Sequence, residues 1–297
     1  MIRIALLLIL FVFSLQAKEI FFSVDNTAYI WKKIQVTQLQ DAFSTRKGIN
    51  FTYASGEGDI AKQVKDIEGA IEKGVDLLIV SPVDAQVIAS VVEKAYDSGI
   101  KIIFAIRSAN TQKFHTYIHP DDKIIAQNAA KYILQTRKNP KIVMIQGRVG
   151  ANTVTNRKEG FLQVIENAPD AQMAAIKVGN YKPDEALAVM DEIISQGVEF
   201  NAVYTHNDAM QEGVRIALET NNIDYNDVTL VGIDYISQAQ EAIKQGKMDA
   251  TFTYPTSVDV IVESAIALLE GKTVKKDIVV PSVLITKDNV DAIAPLF

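Results

Sequence analysis

Residues 202–210 read Ala202-Val203-Tyr204-Thr205-His206-Asn207-Asp208-Ala209-Met210: four residues of a buried strand, a polar exit, and the first turn of a helix. The pattern returns at once, with Thr229-Leu230-Val231-Gly232-Ile233 running into Asp234, and it has a counterpart in the first half, where Lys101–Ile106 runs into Arg107. A strand followed by a helix and then another strand predicts parallel neighbours. The polar residues then sit at the carboxyl ends of the strands, the rim where open α/β sheets bind ligands.

Outward from these stretches the chain keeps the same rhythm. Leu77-Leu78-Ile79-Val80, Ile102-Ile103-Phe104-Ala105 and Ile142-Val143-Met144-Ile145 are short apolar runs without alternation, as expected of strands buried on both faces. Between such runs lie helical stripes, such as Ile60, Val64, Ile67 and Ile71, or Val258, Val262, Ala265 and Leu269. Glycines 48, 74, 99, 197, 246 and 271 each close a helical pattern, where a left-handed residue is wanted. About nine strand–helix repeats predict doubly wound parallel sheets. That number is too many for one comfortable twisted sheet, so two lobes are expected. Crossings between the lobes are expected at Phe114–Asp122, at Phe252-Thr253-Tyr254-Pro255 and near Val280-Pro281-Ser282, each marked by a proline.

Composition narrows the function. The 297 residues carry a net charge of −6 and no long basic run, which argues against nucleic acid as a partner. The chain contains no cysteine, which removes disulfides, thiolate metal sites and a cysteine nucleophile. Met1-Ile2-Arg3, an apolar run from Ile4 to Phe13, and Ser14-Leu15-Gln16-Ala17 read as a secretory signal over residues 1–17 with cleavage after Ala17. No other stretch is apolar enough to span a bilayer, so a protein soluble outside the cytoplasm is expected.

Three sets of residues invite chemistry and yield little. Gly56-Glu57-Gly58-Asp59-Ile60-Ala61 matches the dinucleotide-binding turn, but Asp59 would set a carboxylate where a pyrophosphate must dock. Asp59 as a helix cap explains the residues as well. His115 and His119, four apart in an extended segment, lie roughly 13 Å apart, too far to share an ion, so no metal is expected. Asp208-Ala209-Met210-Gln211 is a capping-box pattern. Asp208 is therefore expected as the N-cap, with Asp84 as another, while Asn207 and Asp234 point into the cleft. Arg157 stands early in a helix, where a cation opposes the dipole; a ligand oxygen or open solvent would each account for it. Trp31 opens the first helix after Asp25-Asn26-Thr27-Ala28 and is either an aromatic face for a sugar or a core residue.

Gly74-Val75-Asp76 through Ser81-Pro82-Val83-Asp84, Arg157-Lys158-Glu159-Gly160-Phe161, His206-Asn207-Asp208-Ala209-Met210 and Val231-Gly232-Ile233-Asp234, in this order, resemble the type I periplasmic solute-binding proteins of the ribose-binding kind. The resemblance covers essentially all of residues 18–290. It implies two Rossmann-like lobes joined by a three-strand hinge, with 18–120 plus 255–281 in one lobe and 121–254 plus 282–297 in the other. It implicates Arg107, Arg157, Asn207 and Asp234 as hydrogen-bonding groups, Trp31 and Tyr181 as aromatic faces, and Asp25 or Asn26 from the first loop. Two positions depart from ribose binders: Ile106 stands where they carry an aspartate, and Tyr254 where they carry a glutamine.

With a carboxylate missing beside two arginines, the expected solute is a pentose- or hexose-like molecule other than ribose, an anionic one included. The implied protein is a monomer of the Gram-negative periplasm that needs no cofactor. It delivers its solute to an ABC-type permease or reports it to a chemoreceptor or sensor histidine kinase. A sugar-responsive repressor would need a basic helix-turn-helix where the signal peptide stands. A nucleotide-dependent enzyme built on Gly56–Ala61 is the most distant reading.

Overall fold

A computed structural model describes residues 17–297; the signal peptide expected over 1–17 lies almost wholly outside them. The chain begins with β1 (Lys18–Val24), α1 (Ile30–Ser44), β2 (Ile49–Ser55), α2 (Ile60–Lys73), β3 (Leu77–Val80), α3 (Ile88–Asp97), β4 (Lys101–Ala105) and β5 (Thr116–Pro120). It continues with α4 (Asp122–Thr136), β6 (Lys141–Gln146), α5 (Asn152–Ile165), β7 (Gln172–Val178), α6 (Pro183–Ser195), β8 (Ala202–Thr205), α7 (Asp208–Thr220), β9 (Thr229–Val231), α8 (Ser237–Lys244) and β10 (Ala250–Phe252). Last come α9 (Val258–Leu269), β11 (Asp277–Val280) and β12 (Leu284–Thr286).

The strands form two six-stranded sheets, ordered β2-β1-β3-β4-β5-β11 and β7-β6-β8-β9-β10-β12. All pairings are parallel except that of β10 with β12. The first five positions of each sheet follow the same doubly wound order, which reverses beside its first strand. The chain passes between the sheets three times, after β5, after β10 and between β11 and β12. The α/β expectation of two parallel-sheet lobes thus describes the molecule.

The apolar runs explain the layering. β3 is buried at all four residues, with α1 and α9 covering one face of its sheet and α2 and α3 the other. The second sheet is sandwiched likewise between α4 and α5 on one side and α6, α7 and α8 on the other. In α2 the expected stripe faces this core, with Ile67 fully buried and Ile60, Val64 and Ile71 packed against it. The same helix starts on Asp59, which accepts from Lys62 N, and ends on Gly74 at φ +68°, a conformation that a Cβ disfavours.

Candidate functional site

The carboxyl ends of the two sheets face each other across a cleft, and the residues just past those ends build its walls. On the first lobe, Asp25 follows β1 and is almost wholly buried. Arg107 follows β4, with Nη1 2.7 Å from Asp25 Oδ2, close as an ion pair but not aligned as a hydrogen bond. Lys32, one turn into α1, places Nζ 3.3 Å from Asp25 Oδ1 and donates to Ser81 Oγ at 2.6 Å. Burial pulls the Lys32 ammonium down to about 8, against the opposing pull of Asp25. Burial acts most strongly against the charge of Arg107, but Asp25 together with Tyr181, Tyr29 and Tyr254 more than offsets it and the guanidinium is held above its ordinary value.

On the second lobe, Arg157 Nε donates to Asp122 Oδ1 at 2.7 Å, and Nη1 donates to the carbonyl of His206. Both side chains are shut away from solvent. Tyr254, on the chain crossing after β10, donates its hydroxyl to Asp122 at 3.1 Å, and the Arg157 guanidinium lies 4.6 Å from its ring centroid. Burial opposes the Arg157 charge, yet Asp122, with Tyr254, Tyr181 and Asp234 adding to it, raises its pKa well above the ordinary arginine value. Arg157 is therefore neither solvent-exposed nor free: its cation is matched by Asp122, and only part of its fork remains for a ligand.

Asp234 is the site's carboxylate without an ion-pair partner among the described residues. Burial raises its pKa well above the usual carboxylate range, against the pull of Arg157 and a hydrogen bond from Asn207. It sits at φ +126°, a conformation that costs about 1–3 kcal/mol for a residue with a side chain and that clusters at functional sites.

Aromatic rings complete the walls. Trp31 donates Nε1 to the Tyr254 carbonyl at 2.9 Å and meets the Tyr254 ring edge-on at 5.7 Å. It is both core and cleft wall, since its indole also packs among the second lobe's buried residues. Tyr29 and Tyr181 meet from opposite lobes, with centroids 5.9 Å apart and planes at 74°. Tyr181 has room because residue 147 is glycine: a Cβ there would lie inside its ring. The cavity enclosed between these groups is narrow, about 60 Å³, well below the usual range of small-molecule sites. Flat aromatic faces beside planar polar groups suit a molecule with an apolar C–H face and a rim of hydroxyls.

Of the residues expected from sequence, the structure brings Trp31, Arg107, Arg157, Tyr181, Asn207, Asp234 and Tyr254 to this one cavity. Asp25 stands behind Arg107 instead of lining it. Asn26 does not join: its Oδ1 accepts from Ala28 N in a local turn, and it borders a surface depression with Tyr53 and Glu57. The capping assignment is corrected by one residue. Asn207 is the N-cap of α7, accepting from Met210 N at 3.0 Å. Asp208 accepts from Thr251 Oγ1 and from the backbone N–H groups of Tyr235 and Ile236, tying β10 and the turn after β9 to α7. Asn207 thus caps with its oxygen and still lines the cavity together with Asp234. Asp84 accepts from Gln86 N and Val87 N in the turn ahead of α3, but the N-cap position of α3 is Val87, so the expected helix cap is a turn bond instead.

Four groups escaped the sequence reading. Tyr29 and Thr153 line the cavity, Lys32 shares Asp25 with Arg107, and Asp122 neutralises Arg157. Only Asp122 had a visible signal, an acidic pair opening α4, and either acid could have been the cap; Asp121 is, accepting from Ile124 N. Among the described residues no cluster of acids and histidines could hold a metal ion, and no helix is long and apolar enough to cross a membrane.

Two doubly wound lobes, joined by three chain crossings and closed on a small cavity lined by aromatic and polar side chains, define a solute-binding protein of the periplasmic type. The chain belongs to the family of the periplasmic binding protein domain, whose model matches residues 20–273. It is 29% identical over 245 residues to the ribose import binding protein of Bacillus subtilis (strain 168), covering 82% of this chain and 79% of that one. It is 31% identical over 256 residues to the xylitol-binding protein of Mycolicibacterium smegmatis, covering 84% and 72%. Among solved structures, the fructose-binding periplasmic domain of a hybrid two-component system superposes with a TM-score of 0.87 at 26% identity, covering 93% of this chain and 92% of that one. A solute-binding protein of an ABC transporter from Bacillus halodurans C-125 with bound myo-inositol gives 0.86 at 25%, covering 93% and 97%. These relatives and this fold are those of substrate-binding proteins and not of enzymes.

Proposed function

We propose that the protein captures one small neutral sugar or polyol in the periplasm, reversibly and without chemistry, by closing its two lobes on it. The observation that carries this reading is the Asp234 carboxylate, buried without a cation of its own, beside the Asn207 amide and between aromatic faces. A carboxylate in that position accepts from a pair of hydroxyls, and partly committed guanidinium forks donate to others. The case for an anionic solute rested on arginines lacking an acidic neighbour. Asp25 and Asp122 supply that neighbour to Arg107 and Arg157. Neither arginine then presents a charge unmatched by a buried acid, which favours a neutral ligand.

Delivery to an ABC-type permease is the partner role we favour, in line with the import function named for the Bacillus subtilis relative. Signalling is the second reading, supported by the sensor-system domain that superposes along nearly the whole chain. A thermal-shift screen over D-ribose, D-fructose, L-arabinose, myo-inositol, xylitol and D-gluconate tests the ligand class. A solute at 100 times its dissociation constant adds about 2.7 kcal/mol of stability. A neutral member should raise the melting temperature most. No shift with any member would sink the solute-binding reading, and a larger shift with gluconate would replace the neutral class by the anionic one.

A further inference from the structure

Ile106 has φ +69°, an outlier for a β-branched residue. The N–H of Arg107 donates back to the Ala105 carbonyl at 2.8 Å, so residues 105–107 form a γ-turn of the strained hand. This turn ends β4 and aims the Arg107 guanidinium at the cavity. Something must hold it, because strain of this kind persists only where the surroundings over-determine it. Two bonds come from the same lobe: Ile106 N donates to Ile118 O at 2.8 Å, and Tyr117 Oη donates to Ile106 O at 3.0 Å.

The remaining bonds come from the opposite lobe, all through one side chain. Asn152, the first residue of α5, donates Nδ2 to Tyr117 Oη at 3.1 Å and to Ser108 Oγ at 3.1 Å, while its Oδ1 accepts from Ser108 N at 3.3 Å. It thus grips the chain on both sides of Arg107 without lining the cavity. Tyr117 is well placed as the middle member, since burial pushes its phenol up and keeps the proton it donates.

From this we infer that Asn152 is a positioning residue that couples lobe closure to the presentation of Arg107, by completing the hold on the strained turn at Ile106 only when the lobes meet. The inference rests on the closing motion proposed above, but it concerns a different lever: Asn152 acts through Tyr117 and Ser108 and touches no solute.

The chain is free of cysteine, so closure can be imposed without any solute. A Cβ at Gly150 would lie 4.0 Å from that of Asp84, across the lobes, within the span of a disulfide. In the variant carrying Asp84→Cys and Gly150→Cys, amide hydrogen exchange at Ile106 and Arg107 is followed by NMR with the cross-link reduced and formed. Formation should slow both amides at least tenfold, and adding Asn152→Ala or Tyr117→Phe should remove most of that slowing. Slowing that persists in both variants, or no slowing, overturns the inference. If the cross-link fails to form, because a cysteine at position 150 must adopt φ +101°, the sugar-loaded protein below decides the inference.

As a second route to closure that keeps Gly150, the uncross-linked protein is loaded with whichever sugar of the screen shifts melting most. Asn152→Ala should then speed dissociation of that sugar about tenfold, and an unchanged rate would also overturn the inference. If no sugar binds, the proposed function fails while the cross-linked protein still decides this point.

Discussion

Arg157 and Asp122 form a closed ion pair at 2.7 Å, with each side chain less than 5% exposed. Neither is dispensable singly, because removing one leaves the other charge buried without a partner. Asp122→Ala should cost about 3–5 kcal/mol of folding stability, whereas the joint replacement Asp122→Leu with Arg157→Met should cost far less. Denaturant titration of the three proteins reads this directly. A single-variant loss under about 1 kcal/mol would show that water reaches the pair.

Asp234 and Asn207 separate in their effects on fold and on binding. Asp234→Asn keeps the size and shape of the side chain and adds no new backbone strain, so stability should hold while sugar affinity drops about 10- to 100-fold, the loss expected for one hydrogen bond to a charged group. Asn207→Ala should lose affinity and also about 1 kcal/mol of stability, since its oxygen caps α7. Calorimetry and thermal melting on the same samples distinguish the two. An Asp234→Asn protein that binds as tightly as the parent would remove Asp234 from the site.

Gly147 predicts a change in binding with little change in stability. A Cβ there would collide with the ring of Tyr181, a side chain with room to swing outward. Gly147→Ala should displace that ring from its edge-on contact with Tyr29 and weaken sugar binding by about tenfold, with melting shifted by only a few degrees. Tyrosine fluorescence quenching by the sugar offers a second readout. Unaltered affinity would mean that the Tyr181 ring is not part of the ligand's wall.

Two buried titratable groups near the start of α7 pull stability in opposite directions with pH. His206 is fully buried with both ring nitrogens unpartnered, and burial together with Arg157 and Lys158 depresses its pKa well below 6.5. Its contribution is complete above about pH 6.5, its unfolded value, and is lost as pH falls below that. Burial raises Asp208 to about 6, against its hydrogen bonds from Thr251 and two backbone N–H groups. Its contribution is complete below about pH 3.8 and lost as pH rises through about 6, which amounts to roughly 3 kcal/mol. Stability should therefore fall less between pH 7.5 and 5.0 in His206→Phe than in the parent, and more in Asp208→Asn. Identical slopes in all three proteins would contradict both assignments.

The layering was legible in the sequence because it depends on runs. β3 and β6 are uninterrupted apolar stretches, α2 carries an unbroken stripe, and Gly74 closes it. The strand exits at Arg107, Asn207 and Asp234 were legible for the same reason, since the rim of a parallel sheet follows from strand order. What escaped depends on contacts between distant segments. Lys32 and Asp25 meet because α1 folds back over the end of β1, and Asp122 reaches Tyr254 across 132 residues. Asn207 and Asp208 are adjacent residues of nearly equal capping ability. Which of them caps is decided by Thr251 and the Tyr235 amide, which claim Asp208. The choice between Asp25 and Asn26 escapes for a similar reason: they occupy one loop, and a single step along the chain sets Asn26 beside the surface depression instead of the cavity.

The fifteen ion pairs among the described residues each lie within one lobe or the other. What crosses the cleft carries at most one charge per contact: Asn152 to Ser108, Ala85 N to Gly150 O, and Arg148 to the Gly58 carbonyl. Parting the lobes therefore strands no cation from its counter-ion, and the open and closed forms differ little in how salt would screen them. In the proposed cycle, catch and release then depend on the solute's hydroxyls and the aromatic faces instead of on ionic strength.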